Sequence, residues 1–419
     1  MKVAVIGCTH AGTAAILNLK RIYPDSDVTV FERNDNISFL SCGIALYVGG
    51  VVKDAQGLFY CSPDKLKELN VDTKMRHNVE SADIKGKKII AKNLETGVET
   101  EHAFDKLIIT SGSWPIIPRI EGIDSNNILL SKNFDHSNAI IDAAKDAKKV
   151  VVVGAGYIGV ELVEAFNDQG KEVILVDAED RILNKYLDKD FTDIAEKTFT
   201  EKGIKIATSE KVIKFESVNG EVSKVITDKN EYEAEMVIMC VGFRPNTEIF
   251  KGQLDMLPNG AINVDEYMRT SDKDVMAAGD CCSVFFNPTR EHMYIPLATN
   301  AVRMGTLAAI NIVENKIKHP GTQGTSGIKI YENNMASTGI TEEIAKQLGI
   351  DADFVYAVDN YRPEFMPTYE KVTLKVVFEK ESRRILGAQL TSKADLTQSI
   401  NTISVCIQNN MTIDQLAFV

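Results

Sequence analysis

Lys2-Val3-Ala4-Val5-Ile6-Gly7-Cys8-Thr9-His10-Ala11-Gly12 and Lys149-Val150-Val151-Val152-Val153-Gly154-Ala155-Gly156-Tyr157-Ile158-Gly159 follow one plan, an apolar strand running into a glycine turn that opens a helix. A second strand ending in an acid follows each: Asp27-Val28-Thr29-Val30-Phe31-Glu32 and Glu172-Val173-Ile174-Leu175-Val176-Asp177. The acid lies 20 residues past the last glycine in the first unit and 18 in the second. This is the strand–turn–helix–strand unit in which a pyrophosphate rests on a helix N-terminus and the acid bonds a ribose hydroxyl. A single such glycine pattern is weak evidence, but two, each with strand, helix and acid in place, are strong. The first departs from the pattern in one respect: Thr9 stands where the middle glycine normally lets the backbone approach the pyrophosphate.

Further short strands end in Gly or Pro, as strands do that deliver a turn to a ligand. Leu107–Ile109 runs into Thr110-Ser111-Gly112-Ser113, Met236–Val241 into Gly242-Phe243-Arg244-Pro245, and Val275–Ala278 into Gly279-Asp280. From about residue 325 the pattern changes to alternating strands, such as Lys371–Phe378, and two helical stretches. The chain therefore reads as α/β, with two Rossmann-like dinucleotide-binding domains and a separate C-terminal α+β domain whose sheet is covered on one face.

At 419 residues the chain suits two or three domains. Net charge is −12 with no compensating basic run, which argues against a nucleic-acid partner. The N-terminus enters a strand directly, without the apolar region of a signal peptide, and no apolar stretch reaches membrane-spanning length. The chain reads as cytoplasmic, with no membrane partner. Its seven cysteines (8, 42, 61, 240, 281, 282 and 406) are irregularly spaced, and none has metal-site spacing.

Cys42 stands apart among them. It lies in Ile37-Ser38-Phe39-Leu40-Ser41-Cys42-Gly43-Ile44-Ala45-Leu46-Tyr47, and no second cysteine follows within a turn or so of helix, as disulfide exchange would require. One sulfur without a partner suggests a cycle between thiolate and sulfenic acid. The helix start expected after Cys42 predicts a lowered thiol pKa. His10, opening the first helix, is expected near Cys42, where its imidazole can stabilise the thiolate and move protons. Cys8 can approach Cys42, but nothing in the sequence requires it.

Gly7–Gly12, Ile37–Gly43, Gly154–Gly159, Ala278-Gly279-Asp280 and Pro296-Leu297-Ala298-Thr299-Asn300-Ala301-Val302 together resemble the two-dinucleotide flavoprotein reductases. The branch that is most similar holds NADH oxidase, NADH peroxidase and coenzyme A–disulfide reductase. Within it, Tyr361-Arg362-Pro363-Glu364-Phe365-Met366-Pro367 and the first fingerprint look most like the water-forming NADH oxidases. The resemblance spans essentially the whole chain, and members of the branch continue past Leu416–Val419 with an aromatic-rich segment.

The resemblance implies FAD as cofactor, bound by residues 1–115 and 246–322, with NADH on 116–245 and a dimerisation domain at 323–419 that is expected to be incomplete. It places Gly7, Thr9, Ala11 and Gly12 at the FAD pyrophosphate, Glu32 at the adenosine ribose, and His10 as a cofactor contact near the flavin ring. Asp280 would take the ribityl chain or pyrophosphate. Val79, Thr110, Ser111, Gly112 and Ser113 would lie along the cofactor, with Lys132 a further contact, and Leu297, Ala298 and Thr299 would present main chain near the isoalloxazine beside Cys42. Gly154, Gly156, Gly159, Ile158, Tyr186 and Gly242 are the implied NADH contacts. Asp177 would hold the NADH ribose diol, with Glu179 adding to the repulsion of a 2′-phosphate. Tyr157, between the glycines, would cover the nicotinamide face of the flavin until NADH displaces it. The implied activity is NADH oxidation with reduction of O2 to water, Cys42 and His10 being catalytic. NADH peroxidase, with H2O2 as substrate, and coenzyme A–disulfide reductase use the same parts. A flavin redox sensor without significant turnover is the alternative of a different class. A homodimer is expected, because the C-terminal sheet has a face and an edge to cover.

Overall fold

A computed structural model describes residues 1–419. Two five-stranded parallel sheets carry the two glycine units. In the first, the order is Val275–Ala277, Lys106–Ile109, Lys2–Ile6, Asp27–Glu32, Val71–Met75. In the second it is Lys205–Ala207, Glu172–Val176, Lys149–Val153, Met236–Met239, Ile128–Leu130. The fingerprint strand is central in both, with its acid-ending strand on one side and a later strand on the other. Parallel sheets need both faces covered, and the near-continuous Val/Ile runs of 3–6 and 150–153 are buried accordingly. Each unit also carries a three-stranded antiparallel sheet: His77–Asp83, Lys88–Asn93 and Glu99–Ala103 in the first, Val212–Val218, Glu221–Thr227 and Glu231–Glu233 in the second.

Chain distant in sequence completes the first unit. Val275–Ala277 pairs with Lys106–Ile109, and the helix Ala298–Ile310 lies against the helix His10–Ile22. Their approach is close enough that a Cβ on Gly305 would stand 2.1 Å from the Ala11 carbonyl oxygen. Only glycine allows this contact, and it sets Leu297–Thr299, at the N-terminal end of that helix, beside the first fingerprint.

The C-terminal part is an antiparallel sheet in the order Ser326–Ile330, Asn333–Gly339, Ile385–Ser392, Lys371–Glu379, Ala352–Asn360. Three helices accompany it (Glu342–Gln347, Ile400–Gln408 and Ile413–Leu416), where the sequence pattern indicated two. The strand Ala352–Asn360 is exposed along nearly its whole length, with Phe354, Val355, Tyr356 and Val358 open to solvent. An exposed apolar edge strand of this kind marks an association surface. No helix is long and apolar enough to cross a membrane.

Candidate active site

Both glycine turns open onto one cavity of about 1120 Å³. That exceeds the usual small-molecule pocket of roughly 300–1,000 Å³ and suits two dinucleotides meeting end to end. Gly7 has φ +90° and Gly154 φ +106°, a backbone region that a side chain would strain. The middle position is different: Thr9 has φ −90° and Gly156 φ −76°. Left-handed backbone is not required there, and so the first unit accepts threonine.

The third glycines stand apart from the other expected residues. Gly12 and Gly159 do not line the cavity. A Cβ on Gly12 would lie 2.0 Å from the Gly7 carbonyl oxygen, and one on Gly159 would lie 1.9 Å from that of Gly154. Glycine at these positions lets each helix pack closely against its turn.

All the other residues expected at the site line this cavity. Glu32 is buried, and its carboxylate accepts hydrogen bonds from the Cys8 and Asn34 main-chain N–H groups at 2.7 and 2.9 Å. Burial pushes its pKa up, while those bonds oppose the rise. Asp177 holds the second turn in the same way, accepting from the N–H of Ala155 and, at 2.8 Å, from that of Glu179. Lys132 Nζ donates to Ser113 Oγ at 2.9 Å and to Asp280 at 3.3 Å, so a lysine weakly marked in sequence belongs to the site. The chain thus offers two glycine cradles with paired acids, as FAD and a nicotinamide nucleotide require. The Ser113–Lys132–Asp280 cluster supplies polar groups on the side of the first cradle.

Cys42 sits in a 3-10 turn, Ser41–Gly43, ahead of the short helix Ile44–Val48. It is exposed to the cavity, and no disulfide joins it to any cysteine. The expected lowering of its pKa does not hold. The cavity walls desolvate the thiol and push its pKa up; its own backbone hydrogen bond opposes this, and the charge of Glu161 adds to the rise. Cys8 is fully buried against Thr13, its thiol likewise raised by burial, and it does not open on the cavity.

His10 shares the cavity with Cys42. Burial lowers its pKa, with Asp280 opposing and Lys132 assisting, so the imidazole is neutral near pH 7. Its Nδ1 lies 3.4 Å from the Tyr60 hydroxyl, the two rings are parallel within 11°, and its buried Nε2 has no protein partner. A neutral ring with one nitrogen occupied and the other free can pass a proton but cannot hold a thiolate by charge.

Three site residues escaped sequence reading. Tyr60 comes from a loop 50 residues after His10 and has no local signal. Glu161 was accessible: it lies four residues after Tyr157, hence on the same helix face, and burial raises its pKa to about 7. Ser326 reaches the Tyr157 hydroxyl at 2.8 Å from the C-terminal sheet, 169 residues away.

Comparison with known proteins accords with this architecture. The family model for pyridine nucleotide-disulphide oxidoreductase matches residues 1–305, and that for its dimerisation domain matches 325–419. An NADH oxidase of Enterococcus faecalis is 57% identical over 418 residues, covering 100% of this chain and 94% of that protein. The structure of a water-forming NADH oxidase from Lactobacillus brevis, bound to NADH, superposes with a TM-score of 0.98 at 51% identity, covering 100% of this chain and 92% of the other. An NAD-dependent persulfide reductase from A. fulgidus is more distant, at TM-score 0.96 and 32% identity over 100% of this chain and 79% of its own. The chain belongs to the pyridine nucleotide-disulphide oxidoreductase family.

Proposed function

We propose that this protein is an FAD-dependent NADH oxidase that reduces O2 to water. The observation that carries the reading is Cys42, an exposed thiol joined to no other cysteine, on a cavity that also holds two dinucleotide cradles and a neutral histidine. The first cradle, with Glu32 and the Ser113–Lys132–Asp280 cluster, would hold FAD, and the second, with Asp177, would hold NADH. When bound, FAD supplies two-electron transfer from NADH to oxygen, chemistry that no side chain here can perform.

The chain's own residues then act on the peroxide. Cys42 Sγ attacks one peroxide oxygen and the O–O bond breaks. That oxygen stays on sulfur as sulfenic acid, and the other departs as water. Since Cys42 is held as a thiol and His10 as a neutral base, His10 Nε2 takes the Sγ proton and delivers it to the departing oxygen. No net proton is consumed in this step. Two electrons from a second NADH, with two protons, return the sulfenic acid to thiol and release the second water. Two NADH, two protons and one O2 give two NAD+ and two waters. The exposed edge Ala352–Asn360 would be covered in a homodimer.

Oxygen uptake measured against NADH consumption tests the reading: one O2 per two NADH is expected. One per one, with H2O2 accumulating, would reject water formation. No uptake, with turnover only on H2O2 or a small disulfide, would move the protein to the peroxidase or the disulfide reductase. NADH binding without turnover on any of these would make it a sensor.

A further inference from the structure

Tyr157 is the first residue of the helix Tyr157–Asp168, directly after Gly156. Any coenzyme seated on the second glycine turn meets it at once. Two contacts hold its ring. On one side Tyr186 stacks against it, ring centroids 4.1 Å apart and planes within 24°. At the far end its hydroxyl lies 2.8 Å from Ser326 Oγ. Ser326 begins the first strand of the C-terminal sheet, and its cross-strand partner Ser337 also faces the phenol. Ser326 itself lines the cavity, with Thr325 and Gly327. A tyrosine rooted in the nucleotide-binding unit is therefore tied down by a hydroxyl of the dimerisation domain.

We propose that Ser326 is a positioning residue for Tyr157. Its hydroxyl tethers the phenol beside the second glycine turn, and nicotinamide coenzyme must break this bond to enter, so the dimerisation domain sets the ease of coenzyme access. This rests on the reading of the second cradle as the NADH site. The Tyr186 stack alone would let the ring slide in its plane, whereas the bond to Ser326 fixes its far end. A net hydrogen bond of ordinary strength shifts an equilibrium by about 2- to 10-fold, and so the tether tunes binding without closing the site.

The test is anaerobic rapid mixing of the FAD-loaded enzyme with NADH, following bleaching of the flavin. Ser326→Ala should lower the half-saturating NADH concentration by about 2- to 10-fold, with a smaller change in the limiting rate. Tyr157→Phe should do the same, and the double variant should do no more than either. Ser326→Thr, which keeps the hydroxyl, should restore the wild-type value. Wild-type flavin that NADH fails to bleach would overturn the coenzyme reading itself. Bleaching with the same constants in wild type and Ser326→Ala, or additive effects in the double variant, would overturn the tether alone.

Discussion

The Glu32 carboxylate accepts a hydrogen bond at 2.7 Å from the main-chain N–H of Cys8, the residue immediately after Gly7. Asp177 bonds the N–H of Ala155, the residue immediately after Gly154. The two units thus repeat down to one hydrogen bond. In each, the acid that ends the second strand also pins the glycine turn at the end of the first. On the proposed reading the same carboxylate stands at the ribose end of its cradle, where its charge would discriminate among nucleotides.

That charge in the second cradle predicts coenzyme preference. A 2′-phosphate beside Asp177 and Glu179 juxtaposes like charges, which costs several kcal/mol where water is excluded. Asp177→Ala should lower the NADH-over-NADPH ratio of kcat/KM by roughly tenfold or more, on that same like-charge cost. Asp177→Asn separates charge from geometry, since its amide oxygen can still accept from Ala155. Both variants should relax discrimination, and an unchanged ratio in both would remove Asp177 from selectivity.

Cys42→Ser removes the sulfur that takes the peroxide oxygen and leaves both cradles intact. NADH oxidation should continue, with H2O2 released in place of water. A peroxide assay on a catalase-free reaction reads this directly, and a variant that still makes only water would reject the role of Cys42. Tyr60→Phe should act in the same direction but more weakly. It frees His10 Nδ1, 3.4 Å from the lost hydroxyl, and so loosens the ring that handles the proton.

The fold was legible because its evidence is local. Gly7, Gly154 and the acids Glu32 and Asp177 act within one strand–turn–helix–strand unit, so spacing alone exposes them. Lys132 was only weakly visible, because its meaning lies in Asp280, 148 residues away. Tyr60 and Ser326 were invisible for the same reason. The protonation of Cys42 was misread differently: a helix start can be read from sequence, but the desolvation that outweighs it depends on walls from several segments. The motif is written as one string, yet its third glycine, Gly12, also has a packing reason that only the structure shows.

Glu161 gives the clearest pH dependence. Its carboxyl faces the cavity without a cation or donor, and burial, then repulsion from Glu164, raises its pKa to about 7. An acid whose pKa is higher folded than unfolded binds its proton more tightly in the native state. Stability is then greatest below the unfolded pKa of 4.5 and falls as pH rises from there to about 7. Glu161→Gln removes that loss. The variant should exceed wild type by about 1–3 kcal/mol at pH 8, and the difference should shrink toward zero near pH 4.5. Thermal denaturation across that range checks it, and a difference independent of pH would show that Glu161 is not desolvated.

The joint between nucleotide-binding and dimerisation domains makes the last prediction. Lys375 and Asp188 are buried at 2% and 4% exposure and pair at 3.1 Å across that joint. Glu342 and Asp190 complete the lysine's surroundings at 2.7 and 3.3 Å, and Gln389 donates to Asp188 at 2.7 Å. Replacing such a pair with apolar residues is often neutral, but removing one partner strands the other charge without water. Lys375→Met should therefore destabilise the protein by about 3–5 kcal/mol. Lys375→Met with Asp188→Leu should recover part of the loss, because the buried carboxylate goes with its partner. Asp188 also receives the N–H groups of Glu342 and Glu343 at 3.2 and 3.3 Å, so recovery should stop short of wild type. Denaturant unfolding of the two variants decides it: a double variant no more stable than Lys375→Met would mean that the stranded charge is not what the single substitution costs.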